Sequence, residues 1–405
     1  MPSARLFSGQ PLRRRVAVFV FSCAALLGLP GIAQEAQPEP TREPTAAVGF
    51  RHGVNLSNWF ANAERQPLVQ TDFEKIEKAG FDHVRIPVNP EFFGFSVFDA
   101  ATGRILFDFS KLDQAIGFAE SVGLSVILDI QPGENLASQI EQDRQADIGF
   151  VALWQHIAEH YQDRTPEKLA FEIVNEPRFN TDLQNYTTLV ADLIAAIRRT
   201  GAKNPIVIDA PLAAALDALA DLKPVRDQNV FYAFHFYEPL LFTHQGMKMA
   251  SPIRSLRYFH NLPYPSKLAD LNFNYAPVAA DPITAKRDLL DYMAANWDEG
   301  HIRARIKVAA DWAQANHTRL ICTEFGVIRP YVSAASRYQW IADTRKALET
   351  AGIGWSLLDY TDLFGIVTLT GATAVDRSDG SIRLVDPQSG SRDIDNQAIS
   401  ALFSN

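Results

Sequence analysis

The sequence predicts an α/β fold, a (β/α)8 TIM barrel with a long insertion after strand six. Three observations carry this. Apolar, β-branched runs alternate with segments of helical spacing eight times from residue 50 onward. The helical segments often close on a glycine just before the next run, at Gly80, Gly123, Gly201 and Gly352, as helix C-termini do. A length of 405 residues is long for one ordinary domain but normal for one α/β barrel with insertions.

The elements follow in order. Residues 1–33 read as a secretory signal peptide. Arg13, Arg14 and Arg15 make a basic start, Val16 to Leu29 an apolar stretch too short for a comfortable span, and Gly31-Ile32-Ala33 a small-residue cleavage site. The alternative for this segment is an uncleaved membrane anchor. Residues 34–48, rich in Pro, Glu, Ala and Thr, read as a disordered linker, and 49–405 as the catalytic barrel. Strands are expected at 50–56, 81–88, 124–130, 168–175, 205–209, 229–236, 318–324 and 353–358. Helical spacing marks Phe73-Ile76-Ala79, Leu112-Ile116-Ala119, Val151-Trp154-Ile157-Ala158-Tyr161, Leu189-Leu193-Ile197, Ile306-Ala309-Trp312-Ala313 and Trp340-Thr344-Ala347. Ile394, Ala398 and Leu402 recur at fourfold spacing and place a last helix over 393–403.

Two intervals break the rhythm. Residues 238–298 follow strand six and carry Phe242, Tyr258, Phe259, Tyr264, Phe273, Tyr275, Tyr292 and Trp297. Residues 361–392 follow strand eight. Loops after barrel strands lie on the catalytic face. Aromatic residues there wall a sugar cleft by stacking on pyranose rings, pack into a small subdomain that braces the barrel, or do both.

Charge and cysteine content narrow the partners. Removing the signal takes away four arginines and no acid, which moves the net charge from −9 to −13. An acidic body argues against nucleic acid and anionic lipid, and leaves the membrane only through an uncleaved signal anchor. After cleavage Cys322 stands alone, so no internal disulfide forms, and its place in an apolar strand predicts a buried, inert thiol. A monomer located in the periplasm or outside the cell is expected.

The chemistry concentrates at the strand ends. Leu169-Ala170-Phe171-Glu172-Ile173-Val174-Asn175-Glu176-Pro177 and Leu320-Ile321-Cys322-Thr323-Glu324-Phe325-Gly326 each deliver a glutamate to one rim of the barrel. Such a pair suits a glycosidase: one carboxylic acid protonates the departing glycosidic oxygen, while the other, ionised, attacks or stabilises the anomeric carbon. Arg85, in Val84-Arg85-Ile86-Pro87, is costly to bury without a carboxylate partner. His235 and Tyr237, two apart in strand six, point to one side. Trp355 sits in the eighth run.

These stretches resemble glycoside hydrolase family 5, the cellulase and mannanase family of the retaining (β/α)8 clan, over essentially all of residues 49–403. Arg51-His52-Gly53-Val54-Asn55-Leu56, Val84-Arg85-Ile86-Pro87, Asn175-Glu176-Pro177, His235-Phe236-Tyr237, Thr323-Glu324-Phe325-Gly326 and Trp355 carry the resemblance in order. It implies Glu176 as acid/base and Glu324 as nucleophile, and Asn175 as the ligand of the sugar 2-hydroxyl. It further implies that Arg85 and Tyr237 keep Glu324 ionised, that His235 positions Glu176 or the sugar, and that Trp355 is the floor under the sugar. One position departs from the family: Leu128-Asp129-Ile130-Gln131 ends strand three with Gln131 where a histidine is usual, so an uncharged amide would meet the sugar there.

The expected activity is an endo-β-1,4-glucanase acting on a polysaccharide or oligosaccharide. β-Mannan or another exopolysaccharide β-glucan is the alternative substrate. Tyr237-Glu238-Pro239 and Phe242-Thr243-His244-Gln245-Gly246 resemble polysaccharide-handling bacterial enzymes. A catalytically inactive carbohydrate-binding barrel is the non-enzyme alternative, and Gln131 is its support. No cofactor or metal is expected, because strand one offers only His52 and no His-x-His. None of the runs ends in a lysine fit for Schiff-base chemistry.

Overall fold

In a computed structural model, eight parallel strands close a barrel in the order β1 to β8. They are β1 (His52–Asn55), β2 (His83–Val88), β3 (Ser125–Ile130), β4 (Leu169–Glu172), β5 (Ile206–Asp209), β6 (Val230–Phe236), β7 (Arg319–Phe325) and β8 (Gly354–Leu357). The structure describes residues 50–57, 60, 67–179, 183–248, 253, 255–275, 282–369, 373–376, 382–385 and 392–404. The expected signal peptide and linker lie outside the described residues.

Several helices form where the sequence supplies both an apolar stripe and a capping side chain. Arg144–Tyr161 is capped by Asp143, whose carboxylate accepts from the Gln145 N–H at 2.8 Å. It buries Phe150, Leu153, Trp154, Ile157 and Tyr161, spaced three or four apart, against the strands. Asp298 and Ser333 start Glu299–Asn316 and Ala334–Thr350 in the same way. Gly80, Gly123, Gly201 and Gly352 all take positive φ after the helices they end. The last helix spans Asn396–Phe403, slightly shorter than its spacing predicts. Between β5 and β6 the helix shrinks to short turns at Pro211–Ala214 and Leu216–Asp221.

Four of the aromatic residues in the insertion after β6 take the bracing role. Phe242, Phe259, Tyr264 and Tyr292 are buried, and they pack around the turn Leu240–Thr243 and the helix Pro282–Ala294. They form a small core that braces the barrel and leave the cleft wall to others. Beyond β8, Val367–Leu369 pairs with Arg392–Ile394, and Thr373–Asp376 with Ile382–Val385, both antiparallel.

Strand alternation decides what enters the barrel. Outward residues such as Val84, Ile86, Val126, Leu128, Phe171 and Ile208 join the layer under the helices. Inward, the lower part is apolar, with Phe50, Ile127, Ala170, Val207, Phe231, Ala233 and Ile321 in contact. Beside them His83 bridges Asp82 (2.6 Å) and the Ser356 hydroxyl (2.8 Å). Gly53 has to be glycine here, because a Cβ would lie 2.1 Å from the His83 ring. Two residues higher on each strand, at the next inward position, the filling turns polar: Asn55, Arg85, Asp129, Glu172, Asp209 and His235.

Strand β7 breaks its own alternation. Phe234 pairs with Cys322 but His235 pairs with Glu324, so Thr323 is an extra residue in the ladder. Ile321 faces the barrel interior and Cys322 the helix layer; without the bulge Glu324 would face outward too. Asn55 holds the bulge, its Nδ2 donating to the Thr323 carbonyl at 3.0 Å. Gly326 follows closely, where a Cβ would meet the Leu358 carbonyl at 2.2 Å.

Candidate active site

The polar layer is organised around Arg85, which is fully buried. Its Nε and Nη2 donate to the two oxygens of Glu172 at 2.7 and 3.0 Å. Nη1 donates to Asn55 Oδ1 at 2.8 Å and to Glu324 Oε1 at 2.7 Å. Nη2 also donates to Asn175 Oδ1 at 2.7 Å and lies 3.0 Å from Asp129 Oδ2. A planar fork with five donors suits this task, and a lysine could not reproduce it. The same carboxylates hold Arg85 firmly charged against the cost of its burial.

Glu324 accepts from Tyr237 Oη at its other oxygen, at 2.7 Å. Its side chain is about one-tenth exposed, enough to meet a ligand. Glu176 sits just past β4 with a positive φ of 45°, a conformation uncommon for a residue with a side chain. Its N–H donates to Asp209 Oδ2 at 3.0 Å. His235 stands between the two glutamates, its Nδ1 3.1 Å from Glu176 Oε1 and 3.5 Å from Glu324 Oε2. One oxygen of each glutamate and one ring nitrogen of His235 all lie within 4.8 Å of each other.

This crowding sets the proton distribution. Burial first, then neighbouring acids, push Asp129 and Asp209 well above the carboxylate range against the pull of Arg85, which favours their neutral forms. Burial would lower His235, but the Glu324 charge and the Glu176 hydrogen bond outweigh it and leave His235 above the usual imidazole value. Burial pushes Glu176 up, but the His235 hydrogen bond and charge, with Arg178 and Arg85, bring it below the ordinary value. His244, buried behind Tyr237, is pushed by burial down to about 4 and stays neutral.

A cleft of about 460 Å³ opens over the pair. Gln131, Asn175, Glu176, Arg178, Met247, Glu324, Leu358 and Phe364 are among its lining residues. A larger cavity, about 770 Å³, opens at the opposite, N-terminal end of the strands beside Phe50, Arg319 and Gly354, and contains neither glutamate.

Six of the residues singled out from the sequence therefore meet: Glu176, Glu324, Arg85, Asn175, His235 and Tyr237. Gln131 lines the same cleft, with an exposed side chain. Trp355 does not belong to it, and its expected role as sugar floor is corrected. It is fully buried, its ring packs on His52, Phe81, Phe325 and Phe403, and its Nε1 donates to Glu349. Ser356 reaches His83 inside the barrel, so Trp355 next to it faces the helices. Leu358 is the β8-end residue that lines the cleft. Sequence reasoning also gave no role to Asp129, Glu172 and Asp209. A signal was present: each is a carboxylate two positions from an inward apolar residue, in a run otherwise too apolar to hold an unpaired acid.

The sequence matches Cellulase (glycosyl hydrolase family 5) over residues 41–362. The chain belongs to glycosyl hydrolase family 5. It is a glycoside hydrolase with a closed eight-stranded barrel. Among its relatives, Endoglucanase 3 of Fibrobacter succinogenes is 26% identical over 78% of this chain, which spans 50% of that protein's length. Endoglucanase C of Acetivibrio thermocellus is 26% identical over 77% of this chain and 92% of its own. The barrel also resembles that of cellulose synthase subunit Z from Clostridioides difficile, with 23% identity and a TM-score of 0.67 over 88% of this chain and 100% of that one. Thermotoga maritima Cel5A in complex with mannotriose superposes with a TM-score of 0.68 at 21% identity, over 88% and 98% of the two chains.

Because the Gln131 side chain is exposed, its contact to a sugar would be partly replaced by water when lost. Gln131→Ala is expected to weaken kcat/KM by about tenfold at most, the scale of one neutral hydrogen bond of roughly 1 kcal/mol. Steady-state kinetics on a soluble glucan checks this. A loss of a thousandfold would mean that the amide does more than bind.

Proposed function

We propose that this chain is an exported, retaining endo-β-1,4-glucanase that works by double displacement, with Glu324 as nucleophile and Glu176 as acid/base. The observation that carries the reading is the closeness of the pair, within 4.8 Å oxygen to oxygen. Retaining glycosidases separate their carboxyl groups by about 5–5.5 Å, whereas inverting ones leave about 6.5–9.5 Å for a water. Arg85 and Tyr237 donate to both oxygens of Glu324, which aims the carboxylate. Asn175 gives its oxygen to Arg85, which turns its amide nitrogen to the 2-hydroxyl of the bound sugar. The endoglucanase relatives support glucan as substrate. In this reading residues 1–33 are the export signal and 34–48 a linker.

Product analysis on a panel of β-glucans and β-mannans tests the substrate, and proton NMR of the first product tests the stereochemistry. An α-anomer as first product would sink the retaining mechanism, and mannan cleaved in preference to glucan would replace the substrate. Glu176→Ala is expected to slow natural glucan by about 10²–10⁴-fold, the usual contribution of a general acid. Aryl cellobiosides with a good leaving group need little protonation and should lose far less in the glycosylation step. Equal losses on both substrates would remove Glu176 from the acid role.

A further inference from the structure

We infer that Asp209 is a positioning residue for the acid/base, holding Glu176 in its left-handed backbone conformation and His235 in the tautomer that lets Glu176 carry a proton. This rests on the assignment of Glu176 as acid/base. Asp209 ends β5, is fully buried and contacts no solvent. Its Oδ2 accepts from the Glu176 N–H at 3.0 Å, at the residue whose φ of 45° needs something to hold it. The same oxygen lies 3.9 Å from His235 Nε2. That nitrogen is buried and makes no hydrogen bond among the described residues. His235 meets the buried carboxylates of Asp209 and Glu172, with Asp209 Oδ2 on the Nε2 side and the ring partner Nδ1 already engaged by Glu176.

The chemistry follows from counting protons on one ring. If Nε2 bears hydrogen, facing the Asp209 oxygen, then in neutral His235 Nδ1 is a lone pair and accepts from the protonated Glu176. If instead Nδ1 bears the hydrogen, it donates to Glu176, which is then ionised and has nothing to give. While the ring is charged, Nδ1 donates to an ionised Glu176, the state that lowers Glu176; once the ring is neutral, an oxygen on the Nε2 side favours the first arrangement. In the glycosylation step the Glu176 O–H bond breaks, its electron pair stays on the carboxylate, and a new O–H bond forms on the departing sugar oxygen. The groups facing His235 are Glu176, Glu324, Asp209, Glu172 and Arg85. Those facing Asp209 are Glu172, Asp129, Arg85, His235 and the Tyr186 hydroxyl, which donates to the Asp209 carbonyl at 2.7 Å. Burial and the Glu172 charge favour a proton on Asp209, so what the position supplies is an oxygen acceptor more than a charge.

The test uses the whole enzyme, with Asp209→Leu, which removes the acceptor at similar size, and Asp209→Asn, which keeps an oxygen. Asp209→Leu is expected to lower turnover of natural glucan by about 10²-fold, as a slightly misplaced catalytic group does. Aryl cellobioside with a good leaving group should lose much less, and the basic limb of the kcat/KM profile should move to lower pH. Asp209→Asn should stay within a few-fold of the wild type with its limb in place. A Leu variant with equal losses on both substrates and an unmoved limb, or an Asn variant as impaired as Leu, overturns the inference. Should Asp209→Leu fail to fold, nitrogen-15 NMR of the histidine-labelled wild type decides, with His235→Gln assigning the signal. Hydrogen on Nε2 of neutral His235 is expected, and hydrogen on Nδ1 overturns the proposal. The Glu176→Ala substrate split is measured alongside: its absence fails the acid/base assignment itself, whereas its presence with silent Asp209 variants fails this inference alone.

Discussion

Glu324→Gln is expected to reduce turnover on the order of 10⁵-fold or more, the scale of losing a covalent nucleophile. Gln keeps the shape of Glu324 and an oxygen for Arg85 or Tyr237, so the site should stay assembled. What it lacks is the second anionic oxygen that forms the glycosyl–enzyme bond. A 2-fluoro glycoside with a good leaving group should label the wild type with one sugar, read by mass spectrometry, and leave Glu324→Gln unlabelled. The melting temperature should shift by only a few degrees, because the change is isosteric and the residue sits at the cleft edge. Turnover within tenfold of the wild type, or an adduct that persists in the variant, would remove Glu324 from the nucleophile role.

Arg85→Ala is expected to injure both stability and activity. It removes the cation shared by Glu172, Asp129 and Glu324, two of which are fully buried. Leaving buried carboxylates without their partner costs about 3–5 kcal/mol. The acids can recover part of this by taking up protons, so the loss of stability should be smaller at low pH than at neutral pH. Activity should fall even well below the melting transition, because Glu324 and Asn175 lose the donor that aims them. Arg85→Lys should recover some stability and little activity, since a point charge cannot hold Glu172 bidentately and reach two further partners. Thermal unfolding across pH, with kinetics at a temperature where each variant is folded, checks both halves. An unchanged melting temperature would mean that the buried acids are already neutral without Arg85. Wild-type kinetics in a folded Arg85→Ala would confine Arg85 to a structural part.

Much of the barrel was legible because strand and helix periods are local properties of a chain. The eight apolar runs became β1 to β8 with ends within a few residues of those expected, and the four glycines that close helices took the backbone conformation a helix end requires. The strand-end motifs were legible for a different reason: Arg85, Asn175, His235, Tyr237 and the glutamates are residue types that an apolar run does not carry without a partner. What local pattern could not supply was the sense in which each residue faces. The family resemblance implies Trp355 as the sugar floor, yet its inward neighbour Ser356 puts it among the helices. Phe242, Phe259, Tyr264 and Tyr292 were equally ambiguous until their burial made them a core.

The sequence by itself therefore determined the fold class, through its periodicity, while the ordered strand-end motifs carried the resemblance to the family and most of the chemical groups of the site. Only the tertiary structure decided how those groups act on one another. A single extra residue, Thr323, turns Glu324 toward Arg85 and Tyr237. Closing the barrel brings Asp129, Glu172 and Asp209, from three successive strands, under the pair of glutamates, where burial and the neighbouring acids favour the neutral forms of Asp129 and Asp209. Facing and electrostatic coupling depend on distances between residues far apart in the chain, and those distances exist only once the strands have registered and the ring has closed.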